Sequence, residues 1–485
     1  MTPIVTIFTL TAYLVLLFAA AYFSGHKADN SGFFIGNRRT TWYMATLAMI
    51  GAAMSGVTFI SVPGSVAVDQ FSYMQMVVGF TIGQFIVAFL LIPIFYRRGV
   101  VSLYEYLDQR FGITAHKTGA LCFLVSKLIA SSLKLFVVCA VMQILVMDHF
   151  NLSFTLNVAL TMLVVYLYTL RGGVRSLIIT DTIQSLCLVA SVVIVIGYLC
   201  KAMDLSVGAA YELVRDSSYS QMWFFDDPSS ARYFWKMVAG GALSLVAMTG
   251  LDQDMMQRNM SCRTIRDSQI NIVLTAICQI FVILLFLSLG VLLYTYVDFA
   301  TLPQPSRGDD LFAMVATQGG LPLIVGIVFV VGLISSTYSA AGSALTSLTT
   351  SFTLDILDGS RFDNAQLRKI RNYTHFVMAV AMVFTILAFH HFANDSVINL
   401  VFKVAGYTYG PILGLFTFGI ISKRNIRQQF VPIVAILSPI LSYILQRFMA
   451  MQFDYFIGFE LLGYNALFTI FGLILISHNR NDKVS

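Results

Sequence analysis

Ile50-Gly-Ala-Ala-Met-Ser-Gly-Val-Thr-Phe-Ile-Ser-Val-Pro-Gly64 lies inside an apolar run, yet it does not read as a lipid-facing helix. Gly51, Ser55, Gly56, Thr58, Ser61, Pro63 and Gly64 fill it with residues that loosen a helix or bring oxygen into it. Backbone that leaves helical geometry at membrane depth survives only where protein or a water-filled cavity satisfies it. A second stretch, Ser335-Ser-Thr-Tyr-Ser-Ala-Ala-Gly-Ser-Ala-Leu-Thr-Ser-Leu-Thr-Thr-Ser351, carries a hydroxyl at more than half its positions. Small residues also allow helices to pack closely, so either stretch alone has a structural reading. Together, seven spans apart, they fit the first helix of one repeat and the third helix of an inverted copy. A broken helix turns carbonyls towards cations and amide ends towards anionic groups, so the pair points to a site.

The surrounding sequence is membrane protein throughout. Of 485 residues, 58% are apolar and 11% charged, with a mean hydropathy of +0.79; a soluble chain carries about 25% charged residues. Thirteen apolar spans are expected, at 4–22, 42–68, 72–96, 119–147, 153–170, 176–200, 233–256, 268–297, 322–354, 373–389, 396–421, 429–446 and 459–477. The odd-numbered connections and the C-terminus hold 21 Lys and Arg, among them Lys27, Arg97, Arg98, Arg171, Arg480 and Lys483. The even-numbered ones hold five, including Lys201, Arg215 and Arg232. Cytoplasmic loops gather Lys and Arg, which predicts an outer N-terminus and an inner C-terminus in the cell (inner) membrane. The net charge of +6 is therefore a topology signal, with no nucleic-acid partner implied. No connection is long enough for a soluble domain, although 201–232 has room for a short amphipathic helix. The six cysteines show no metal spacing. With no G-x-x-x-x-G-K-[ST] loop to bind ATP, uphill movement would draw on an ion gradient. No H-E-x-x-H motif or Ser/His pair sits at membrane depth, so an enzyme is not expected.

Asp181, in Gly172-Gly-Val-Arg-Ser-Leu-Ile-Ile-Thr-Asp-Thr-Ile-Gln184, falls well inside span six. A carboxylate there costs ~2.5–3.5 kcal/mol on insertion scales unless it is paired or solvated. With hydroxyls nearby it suits a hard cation such as Na+; a protonated or Arg-paired structural aspartate is the alternative. Lys127 and Lys134 lie one turn either side of Ala130 on one face of span four. A lysine within a span faces a cavity or a partner. Either could attract an anionic substrate; the alternatives are an ion pair for Lys127 and snorkelling for Lys134.

Four stretches, in order, resemble the sodium:solute symporter family over almost the whole chain: Ser55–Gly64, Gly172–Gln184, Gln253-Asp-Met-Met-Gln-Arg258 and the hydroxyl-rich Ser336–Asp355. Arg97 with Ser102-Leu-Tyr-Glu-Tyr-Leu-Asp-Gln-Arg-Phe111 is similar to the loop after that family's third helix. The motifs resemble most those of its bacterial sialic acid and sugar carriers.

The resemblance implies an all-α, LeuT-type 5+5 inverted-repeat transporter of about thirteen transmembrane helices. The single membrane domain 1–485 would comprise an extra helix and loop (1–41), repeat one (42–200), repeat two (233–421) and extra C-terminal helices (429–485). It implies Na+ held by Gly51, Met54, Ser336 and Ser339, with Ala340 standing where relatives carry another hydroxyl. In some members a second Na+ site matches Asp181 and Ser343. Matching solute positions are Ser55, Thr58, Tyr73, Val77, Ala130, Gly241 and Leu245, beside Lys127 and Lys134. Lys403 could be a built-in cation, a gate or a counter-ion to Asp181, and Gln253 reads as gating or coupling. The expectation is sodium-coupled symport of a small organic solute, such as a sugar, sialic or other sugar acid, or monocarboxylate. A proton-coupled or exchanging carrier, or a sensor or channel on this scaffold, stays open.

Overall fold

The computed structural model describes residues 3–25, 30–170, 172–305, 307–392 and 397–478. Lys27, Arg171, Arg480 and Lys483, counted above among the basic connections, lie outside these. Among the described residues the regular structure is helical apart from one two-residue antiparallel pairing, Asn425–Ile426 with Ser477–His478, and a single bridge between Thr40 and Cys262. The helices are α1 (Pro3–Gly25), α2 (Trp42–Ala53), α3 (Gly56–Asp69), α4 (Tyr73–Arg98), α5 (Ile113–Met142), α6 (Phe154–Thr169), α7 (Gly173–Ala202) and α8 (Phe234–Gly250). Then follow α9 (Gln253–Met260), α10 (Ile265–Phe299), α11 (Leu323–Ile356), α12 (Asn364–Phe392), α13 (Val397–Thr408), α14 (Gly410–Ile421), α15 (Val431–Phe453) and α16 (Leu461–Leu475). Among the described residues, eight helices are long and apolar enough to cross a membrane, ten when each bent pair counts as one span. The shorter apolar helices α6, α14 and α16 bring the number to the expected thirteen. The segment after α7 forms the amphipathic helix Val207–Asp216, with Val207 exposed and Ala210 buried.

Burial separates inner from outer helices. In α11, 67% of the most apolar window is buried, against 17% in α15, so α11 runs through the centre and α15 faces lipid. Glycines let several helices touch backbone to backbone. A Cβ on Gly241 of α8 would lie 2.5 Å from the Met76 carbonyl of α4, and one on Gly83 2.7 Å from the Ala242 carbonyl. With no hydrophobic drive between helices in lipid, such close approach is what holds them.

Two spans are sharply bent. α2 and α3 meet at 59°, and α8 and α9 at 65°. These are the first helices of the two expected repeats. The serine-rich span nine, whose composition resembles that of span two, is by contrast continuous in α11. Its hydroxyls leave the helix intact because several bond back to a carbonyl three or four residues earlier, as Thr337 does to Leu333 at 2.7 Å.

Candidate functional site

At the first break Met54 and Ser55 leave helical geometry, with ψ of 89° and 171°. Met54 still donates to the Ile50 carbonyl at 2.9 Å. Beyond it, the carbonyls of Gly51 to Met54 have lost the amides that an uninterrupted helix would supply. Met54 and Ser55 are buried, so those oxygens need a partner inside the protein. Gly51 rests on α7, where an added Cβ would meet Ser185 Oγ and, at 3.1 Å, the Asp181 carbonyl. Gly56 rests on α11: its Cβ would lie 3.1 Å from Thr337 Oγ1 and 3.6 Å from Ser336 Oγ. The start of α3 and the hydroxyl helix therefore touch. Ser336 donates to the Leu333 carbonyl and Ser339 to Asp181 Oδ1, both at 2.8 Å. Each hydroxyl uses its one proton in this way, which leaves its lone pairs for a cation.

A chain of buried charge continues from Ser339. Arg258 reaches Asp181 Oδ2 through Nε at 3.2 Å and Nη2 at 2.9 Å, and Asp254 Oδ1 through Nη1 at 2.5 Å. Lys127 then bridges Asp254 Oδ2 at 2.7 Å and both oxygens of Asp252, at 3.1 and 3.2 Å. The Tyr409 hydroxyl donates to Asp252 Oδ2 at 2.6 Å. The second break places these groups. Asp252 caps α9 by accepting from the Asp254 amide at 2.8 Å, and the i, i+4 spacing brings Asp254 and Arg258 together. Gln253, fully buried, accepts from the Leu103 amide at 2.8 Å and so ties α9 to the loop after α4.

A cavity of about 140 Å3 opens beside the first break. Ser55, Thr58, Tyr73, Lys127, Ala130, Lys134 and Leu245 all line it. Val77 and Gly241 do not. Val77 is buried in the core, and Gly241 is spent on the α4 contact, so Phe80 and Gln84 of α4 and Ser244 of α8 take their places. A second chamber of about 340 Å3 holds Asp69, Arg232 and Lys403 and shares Tyr73 with the first.

Three expectations need correction. Asp181 and Ser343 are engaged separately: the Asp181 carboxylate is taken by Arg258 and Ser339, while the Ser343 hydroxyl donates to Asp254. Lys403 is not the counter-ion of Asp181, because it is exposed in the second chamber and Arg258 fills that role. Lys127 is ion-paired, and of the two lysines only Lys134 has no hydrogen bond or ion pair among the described residues. Sequence reading missed Asp252 and gave Arg258 no place at the site, whereas Tyr409, one of the aromatics it expected along the path, does line the cavity. An aspartate following Thr249-Gly-Leu251 inside an apolar span is a helix-start signal, and it marks the second break.

The Sodium:solute symporter family profile matches residues 33–429. The chain is 24% identical over 405 residues to the Homo sapiens sodium/iodide cotransporter, covering 81% of this chain and 62% of that protein. It is 24% identical over 409 residues to the Danio rerio sodium-coupled monocarboxylate transporter 2, covering 82% and 64%. With the Proteus mirabilis sodium/sialic acid symporter SiaT, identity is 22% over 428 residues, covering 84% and 83%. The chain thus spans less than two thirds of the length of the first two relatives. Among solved structures, the substrate-bound outward-open state of a Na+-coupled sialic acid symporter superposes with a TM-score of 0.81, at 17% identity and 97% coverage of both chains. Mhp1, a nucleobase-cation-symport-1 family transporter in a closed conformation, gives 0.55 at 14% identity, covering 93% and 95%. The fold is the all-helical, multi-span LeuT-like one.

Proposed function

This chain belongs to the sodium:solute symporter family, and on that premise we propose that it couples inward movement of Na+ to uptake of a small organic solute by alternating access. The observation that carries the reading is the contact of the broken α2–α3 span with the hydroxyl face of α11. Na+ takes oxygen ligands, and the freed carbonyls near Gly51 and Met54 belong to a break whose next turn, at Gly56, packs on the helix that offers Ser336 and Ser339. Bound there, the ion ties two helices of different repeats and favours one arrangement of the bundle. A solute in the adjoining cavity then binds a scaffold that the ion has already ordered.

Orientation follows from the basic loops, with the Lys201–Arg232 connection outside and the C-terminus in the cytoplasm. In the cell (inner) membrane, the Lys403 chamber then leads from outside to the central cavity, with Tyr73 in the wall of both. Asp254, Arg258 and Gln253 close the opposite side.

Uptake into proteoliposomes tests the coupling. Solute accumulation should require external Na+ and vanish when choline replaces it. Ser339→Ala should raise the Na+ concentration needed for half-maximal uptake about tenfold or more. Accumulation that is equal in Na+ and choline would end the proposal.

A further inference from the structure

Lys127 and Lys134 lie two turns apart on one face of α5, and both line the central cavity. Only one is available to a solute. An ammonium has three N–H bonds, and those of Lys127 are directed at Asp252 Oδ1, Asp252 Oδ2 and Asp254 Oδ2. Lys134 meets no acceptor among the described residues. An unmatched ammonium at membrane depth is costly, and the mobile contents of the cavity can meet it.

The fixed charges say when this happens. With each group in its ordinary ionised form, Asp181, Asp252 and Asp254 offset Arg258, Lys127 and Lys134 one for one. Arrival of one Na+ leaves the region one positive charge in excess, and a monovalent anion restores neutrality. In a medium of low dielectric this favours the two ligands together over either alone.

The cavity has a second unmet polar group. Gln84, 3% exposed, donates through Nε2 to Gln279 Oε1 at 2.9 Å, while its own Oε1 has no partner. Gln84 and Gln279 both line the cavity. A hydroxyl both donates and accepts, so it satisfies this amide whichever way the amide is turned. Met49, Leu245, Met248 and Ile283 supply apolar wall.

We propose that the solute is a short monovalent carboxylate bearing a hydroxyl, its carboxylate bound by Lys134 and its hydroxyl by Gln84. The assignment rests on the symport reading above and narrows its substrate class.

The test is thermal shift and calorimetry on the purified full chain in saturating Na+, with lactate and glycerate as probes. Lactamide and glycerol serve as neutral counterparts, and propionate lacks the hydroxyl. The two hydroxy acids should bind, and the neutral compounds should not. Lys134→Gln should weaken acid binding about thirtyfold or more, with Lys134→Arg recovering part of it. Na+ should still raise the melting temperature of both variants, which shows that they are folded. Gln84→Met should bring lactate down to the affinity of propionate. The proposal is overturned if no short acid binds, if lactamide binds as well as lactate, or if Lys134→Gln leaves acid affinity unchanged. Acid binding through Lys134 combined with Na+-independent uptake would instead sink the symport reading and leave the substrate class standing.

Discussion

Arg258 joins two aspartates from different helices, Asp181 on α7 and Asp254 on α9, with a guanidinium only 2% exposed. Its planar fork gives Asp181 Oδ2 two N–H groups while a third reaches Asp254, a geometry that the single ammonium of lysine does not reproduce. Arg258→Ala would strip Asp181 of its ion-pair partner and leave Asp254 with Lys127, at a cost of about 3–5 kcal/mol. Thermal unfolding in detergent should register this as a large drop in melting temperature, and Arg258→Lys should recover part of it; an unchanged melting temperature would contradict the pairing. Asp181→Asn carries a different signature, because it removes the charge that pairs with Arg258 while its amide oxygen can still accept from Ser339. Much of this was legible from sequence, since a carboxylate deep in a span announces a partner. Which partner it takes was not legible. Asp181 and Arg258 are separated by 77 positions, and helix spacing relates only residues within a few turns. The same limit explains Val77 and Gly241, whose spans were located correctly but whose facing depended on how closely α4 and α8 approach.

The break between α2 and α3 works because Gly56 lets the new helix start against α5 and α11. An added Cβ there would sit 2.5 Å from Val138 Cγ2 as well as close to Thr337. Gly56→Leu should therefore push α3 off α11 and separate the freed carbonyls from Ser336 and Ser339. The expected outcome is a Na+ affinity reduced about tenfold or more together with a lower melting temperature, read by Na+ titration of thermal stability. A wild-type titration curve would show that the contact is unimportant for the ion. Sequence composition located this break because glycine, serine and proline cluster in it. The bend between α8 and α9 shows less contrast, as its turn rests on Gly250 and the capping Asp252 within otherwise apolar sequence. In α11 the inference from composition went too far: hydroxyls that bond back along their own helix decorate it without interrupting it.

Across the whole molecule, hydropathy and the alternation of basic loops were enough to count thirteen spans, because a bilayer imposes one length on every crossing. The same alternation predicts the orientation proposed above, and single cysteines can check it in a chain whose native cysteines are replaced. In intact cells, an impermeant maleimide should label a cysteine at Ser217 and leave one at Ser422 unlabelled until the membrane is opened; the reverse pattern would invert the topology. The three acids and three bases gathered at the cavity cancel one another, with a consequence for the membrane potential. A carrier loaded with one Na+ and one monovalent acid moves no net charge in either direction. Transport would then be electrically silent, with an initial rate unaltered by an imposed potassium diffusion potential. The cell's voltage would contribute nothing to accumulation, and the difference in sodium concentration alone would set how far the solute can be concentrated.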